Sequence, residues 1–230
     1  MNKPWTDGPH ELIQHAIDHL ALGSDFDRRI AFISIDNAVE LMTKTYLGLP
    51  ERARGSKGPS RKELEQASES FPDLLSLLET FAGPKITALN LDDIEWYHRL
   101  RNQLYHSGNG ITVDRSKVEA YLQLSSALFE CLFDSKIITE STSAAQTKTG
   151  EFLFMWNDFQ RQLRQVLPPK EGELALHWKL NFLEKVDPTY ARLYEELSQF
   201  RNGLIHGLTT PDPKVIETAI SQLRQLLSVL

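Results

Sequence analysis

Apolar residues recur at helical spacing along almost the whole chain, and no convincing strand or hairpin pattern interrupts them. Leu12, Ile13, Ala16, Ile17 and Leu20 fall on one face of a helix over 9–22. A longer helix over 28–47 carries Ile30, Ile33, Val39, Leu41 and Tyr46, and Gly48 with Pro50 stops it. Ser60 and Glu63 form a capping box for a helix reaching 81, which Pro72 breaks or kinks. Gly83-Pro84 then turns the chain. The next helix, 91–106, has Asp92 and Asp93 placed to cap its start, where acid favours the helix dipole. Asp114 caps a helix running to 133. Residues 135–150 are rich in Ser, Thr and Ala without an apolar period, and read as a linker. Helices resume over 151–167, closed by Pro168-Pro169, and over 171–186. Asp187-Pro188 and Asp212-Pro213 each place a cap before a first-turn proline, opening helices that run to 206 and 230. The pattern predicts an all-α chain with two helical bundles, 1–134 and 151–230, joined by 135–150.

One polar hexad occurs twice, as Arg101-Asn102-Gln103-Leu104-Tyr105-His106 and as Arg201-Asn202-Gly203-Leu204-Ile205-His206. Each copy closes a helix and runs into glycine, Gly108 in one case and Gly207 in the other. In each half an Asp then caps the following helix, which ends on Leu or Phe. The upstream helices correspond less well, so the halves read as a diverged duplication and not as a short solenoid repeat.

Composition narrows the function classes. The chain has 230 residues, 41% of them apolar, which is enough for a real core. No apolar run reaches the length of a membrane span, and the first residues lack a signal-peptide pattern, so the expected location is cytoplasmic with no membrane partner. The lone Cys131, in an apolar run, excludes a disulfide framework and reads as a buried, inert thiol. Net charge is -6; residues 1–140 hold 15 Lys+Arg against 21 Asp+Glu, and residues 141–230 hold 10 against 10. That balance argues against tight non-specific binding to a polyanion, which needs many cationic contacts. A small basic cleft stays compatible with it, because a few focused charges still guide a ligand.

Helix geometry sorts the hexad. Asn102 and His106 are four apart and share a face, as do Asn202 and His206. Arg101 and Arg201 diverge from their His partners around the helix, yet arginine is long and can reach a ligand at the helix end. Leu104, with Tyr105 or Ile205, can bury towards the bundle. These residue types suit phosphodiester chemistry. Arginine grips phosphate oxygens in a fork and stabilises charge building on phosphorus. Histidine takes or gives a proton near neutrality, and asparagine orients it or holds a ribose oxygen. The scheme needs no cofactor and no metal. The plain alternative is that Arg and His before Gly form an ordinary helix stop; two copies with identical spacing favour function.

The two hexads resemble the hallmark of the HEPN superfamily (higher eukaryotes and prokaryotes nucleotide-binding): Arg, often followed by Asn, then His four to six residues on, at a helix end in an all-α bundle. The stretch 28–44, with Asp36, Asn37, Glu40 and Lys44, resembles an early helix of such domains, where a Glu or another polar residue faces the motif. The likeness extends over 101–133 and, more diverged, over 151–230, with Trp156 and Phe159 on its opening helix. Only the hexads are specific. The resemblance implies two HEPN-like bundles paired as an intramolecular pseudo-dimer. It also implies a metal-independent endoribonuclease in which a 2′-hydroxyl attacks the adjacent phosphate. Arg101, His106, Arg201 and His206 would be catalytic, supported by Asn102 and Asn202. Expected partners are RNA or a nucleotide, an antitoxin or regulatory protein, and a second copy of the chain, in a defence, stress or toxin setting. The alternative is a non-catalytic HEPN module that binds a nucleotide or RNA, or regulates. Some toxin members place Tyr two residues after His; Gly108 and Leu208 stand there, which departs from that pattern.

Other residues stand out less. Glu40 and Lys44 are an i,i+4 pair, either a structural bridge or a support for the site. Arg52, Arg54, Lys57, Arg61 and Lys62 crowd a loop that reads as solvated, with RNA contact as its functional alternative. His15 and His19 have metal-ligand spacing, but no other ligands stand out, so they read as a surface pair. His98 and His177 lack motif context, and Trp96 and Trp178 read as core.

Overall fold

The structure is a computed structural model and describes residues 3–87, 89–106, 112–137, 148–166, 175–205 and 211–230; at 105, 106, 164 and 175–178 the description is of backbone only. Among the described residues every regular element is helical. None of those helices is long and apolar enough to cross a membrane. The chain divides into two compact units, Met1–Ala145 and Gln146–Leu230.

In the first unit a short 3-10 turn, Pro4–Thr6, leads into α1 (Asp7–Leu22) and α2 (Asp25–Gly48). Then come α3 (Glu51–Arg54), α4 (Arg61–Ala67), α5 (Phe71–Ile86), α6 (Leu91–His106) and α7 (Arg115–Phe133). Gly23, at φ 82, takes the left-handed turn that lets α1 fold back along α2. Ser24 then caps α2 by accepting the Asp27 amide at 3.1 Å. α2 is the central helix, packed by α1, α5, α6 and α7. Its fully buried stripe is Ala31, Phe32, Ile35, Ala38, Val39 and Met42. Burial of each of the larger of these contributes about 1.5–3 kcal/mol. Of the positions expected on that face, Val39 and Tyr46 are buried, Ile30 and Ile33 are half-buried, and Leu41 is exposed. Phe32, Tyr97 and Tyr121 bring α2, α6 and α7 together, with ring centroids 4.6 to 6.0 Å apart.

Several local expectations change. The capping box at Ser60 and Glu63 forms, with the Ser60 amide 2.6 Å from Glu63 Oε2. Its helix stops at Ala67, and Pro72 sits in the first turn of the separate helix α5. Gly83-Pro84 does not turn the chain: α5 continues through Pro84 to Ile86. Gly83 has no Cβ to clash with the proline ring, and the buried Ala82 and Ile86 hold that last turn on the core. Asn90, not Asp92 or Asp93, caps α6, its Oδ1 accepting the Asp92 amide at 3.1 Å. Asp114 occupies the cap position of α7 without a side-chain cap bond. Cys131 is half-buried, not enclosed.

The second unit holds α8 (Lys148–Val166), α9 (Ala175–Val186), α10 (Pro188–Ile205) and α11 (Pro213–Leu227). Asp187 and Asp212 cap α10 and α11, accepting the amides of Thr189 and Lys214, each at 2.8 Å. α8 packs on α11, and α10 on α9 and α11. Phe152, Trp156 and Phe159 of α8 meet Tyr194 and Phe200 of α10 in an aromatic core.

Candidate active site

The first hexad sits on the last turn and a half of α6. What fixes it is a carboxylate that lies 65 residues upstream. Asp36, fully buried at 0% exposure, stands on the core stripe of α2 between Phe32 and Val39. Arg101 donates from Nε to its Oδ2 at 2.7 Å. His98, one turn earlier on α6, has Nδ1 at 3.1 and 3.0 Å from the two carboxylate oxygens. Tyr121 of α7 donates its hydroxyl to Oδ1 at 2.8 Å. An ionised carboxylate only accepts, so Nδ1 is the protonated ring nitrogen of His98. The Phe71 ring of α5 stacks on that imidazole, centroids 3.9 Å apart. Three helices, α2, α6 and α7, therefore meet at one acid, and α5 covers its histidine.

Burial works against a charge on Asp36. The hydrogen bond and charge of His98, the Arg101 guanidinium and the Tyr121 hydroxyl outweigh it and hold the carboxyl below its ordinary 3.8. Burial, then the Asp36 charge, push the Tyr121 phenol well above its ordinary 10.0. Asp36 thus stays an anion and Tyr121 a neutral donor across the working range of pH.

Arg101 is also tied sideways. Its Nη1 donates to Asn102 Oδ1 at 3.0 Å, and its Nη2 lies 3.9 Å from Glu40 Oε2, one α2 turn beyond Asp36. Lys44 pairs with Glu40 at 2.6 Å. Glu40 is thus at once the partner of Lys44 along α2 and a wall beside the arginine.

In the second unit Arg201 is 6% exposed, and its Nη1 donates to Asn202 Oδ1 at 3.1 Å. The two hexads share this arginine–asparagine contact as well as their spelling. The buried polar cluster near Arg201 differs from the one around Arg101. Gln160 of α8 donates to Tyr194 at 3.3 Å and accepts from Lys179 Nζ at 2.8 Å. Burial raises the Tyr194 phenol, against the Gln160 hydrogen bond and the Arg201 charge. An amide, Gln160, thus joins Tyr194 and Lys179.

The side chain of His106 and the whole of His206 lie outside the described residues. Sequence reading overlooked Asp36 as the anchor, His98 and Tyr121. Asp36 did carry a signal, since an acid on the apolar stripe of a central helix needs buried donors. His98 shares a face with Arg101, three residues on.

The basic loop separates into different roles. Arg54 is not an exposed RNA contact: it is 7% exposed and donates to the carbonyls of Leu47 at 2.7 Å and Tyr46 at 3.3 Å. It satisfies the open carbonyl end of α2, which attracts cations. Gly58 lies against it, and a Cβ there would come within 1.5 Å of its guanidinium. Arg52, Lys57, Arg61 and Lys62 are exposed, and Arg61 pairs with Glu65 at 2.8 Å.

No family model matches the chain, and neither a curated protein nor a solved structure does.

Proposed function

We propose that the chain is a metal-independent endoribonuclease of HEPN type, with one composite site built from both hexads. The supporting observation is the repeated Arg–Asn contact, 3.0 Å in one unit and 3.1 Å in the other. A duplicated helix stop has no need to keep that side-chain geometry. In this reading Arg101 and Arg201 bind the non-bridging oxygens of one phosphate, and Asn102 and Asn202 steady them. One of His106 and His206 takes the proton of a ribose 2′-hydroxyl as its oxygen bonds to phosphorus. The other protonates the departing 5′-oxygen as the P–O bond breaks, leaving a 2′,3′-cyclic phosphate and a 5′-hydroxyl. The defence, stress or toxin setting, the regulatory partner and the homodimer rest on the resemblance alone.

A second reading, a non-catalytic module that binds a nucleotide or RNA or regulates, is favoured by one observation. Asp36 and Glu40 place two carboxylates on Arg101, which weakens its pull on a third anion. Incubating the purified chain with mixed RNA in EDTA separates the two. The nuclease reading expects cleavage, abolished by His106→Ala and by His206→Ala with the helical signal intact. Binding without turnover, tolerant of His206→Ala, supports the module. Cleavage that needs added metal overturns the nuclease reading.

A further inference from the structure

We propose that His15 and His19 form a two-imidazole site for a borderline divalent transition ion such as Zn2+, Cu2+ or Ni2+. The inference goes beyond the nuclease reading and does not depend on it. No cluster of three or more metal-ligating side chains occurs among the described residues, so water would complete the coordination. Two observations carry the assignment. First, the residues are four apart on α1, and their rings stand 4.6 Å apart between centroids at 83°. Metal–nitrogen bonds of about 2.0–2.1 Å put each centroid about 3.2 Å from a shared ion, so two ligands at roughly 90–110° have centroids about 4.5–5.2 Å apart. The observed spacing falls within that range.

Second, His19 is held as metal ligands are held. Its Nδ1 lies 2.9 Å from Asp27 Oδ1, and Ser24 Oγ donates to Asp27 Oδ2 at 2.5 Å. An ionised Asp27 only accepts, so Nδ1 carries the proton and Nε2 carries the lone pair. A carboxylate on the far nitrogen fixes tautomer and ring angle and raises ligand basicity. The Gly23 turn, which folds the start of α2 back on the end of α1, is what delivers Asp27 there. His15 is exposed, so it can swing to meet an ion held by His19.

The test is calorimetric titration of the EDTA-stripped, dialysed full chain with Zn2+ and with Cu2+, and electron paramagnetic resonance of the Cu2+ form. The expected result is one ion per chain at this site, lost in His19→Ala and bound more weakly in His15→Ala. Nitrogen couplings should fall from two to one in His15→Ala. Asp27→Asn should weaken binding about 10–100-fold. His15 is exposed, so its variant keeps the fold and reports on the site alone. Stoichiometry and affinity unchanged in both histidine variants would overturn the site. An Asp27→Asn variant that binds as tightly as the parent overturns the role given to the carboxylate.

Discussion

Removing the acid at the centre of the first unit, Asp36→Ala, strips three donors of their acceptor in one step. His98 and Arg101 keep only 12% and 18% side-chain exposure, and Tyr121 none, so water cannot replace the carboxylate. Breaking a buried ion pair by deleting one partner costs about 3–5 kcal/mol. Glu40, 3.9 Å from Arg101 and partly exposed, recovers little of it. The loss is a large share of the roughly 5–15 kcal/mol that holds a domain folded. Tyr121→Phe removes one donor and leaves Asp36 the other two, so it should cost about 1.5–3 kcal/mol, less than Asp36→Ala. Because both substitutions delete the same hydrogen bond, the double variant should cost less than their sum. Hydrogen exchange read by mass spectrometry checks this region by region. Protection should fall in peptides from α2, α6 and α7 and persist in α8 and α11. A loss below about 1 kcal/mol for Asp36→Ala, or strict additivity with Tyr121→Phe, would refute the idea of a shared buried acid.

The same acid sets a pH window. Its folded pKa lies below the ordinary 3.8, so its stabilisation is complete above that value and is lost as pH falls through the folded pKa; acid unfolding followed by circular dichroism should shift to higher pH in Asp36→Asn. Tyr121, with its pKa raised, works in the opposite sense: its contribution is complete below 10.0 and is lost as pH rises towards the folded value, an alkaline loss that Tyr121→Phe removes. Gly58→Ala should drive Arg54 off the carbonyls of Tyr46 and Leu47, at about 1.5–3 kcal/mol for the charge-assisted bonds, seen as a lower thermal midpoint; an unchanged midpoint would show that the guanidinium cap contributes nothing.

Helix placement was legible where glycine, proline and caps punctuate the chain. Gly48, Ser60, Pro188 and Pro213 each mark a helix end that the structure keeps within a residue or two. It failed at Gly83-Pro84, where buried Ala82 and Ile86 overrode a local turn signal. The site was legible only along one helix. Arg101 and Asn102 are neighbours in sequence, so their closeness was legible there, though not the hydrogen bond between their side chains. Asp36 meets His98, Arg101 and Tyr121 across 62 to 85 residues, distances at which periodicity says nothing about partners. Arg54 misled because a basic, glycine-containing loop has the composition of a solvated one. Only the open carbonyls of α2 show why one of its cations turns inward.

The order of synthesis gives the Asp36 cluster a further meaning. A growing chain presents Asp36 first, then Arg101, and only later Tyr121 on α7. Until that last helix emerges, the acid lacks its third donor and α6 lacks the stacked Tyr97–Tyr121 rings that seat it. The buried acid therefore gains its full set of donors late. A ribosome-bound fragment ending at the hexad would hold Asp36 with two of its three donors.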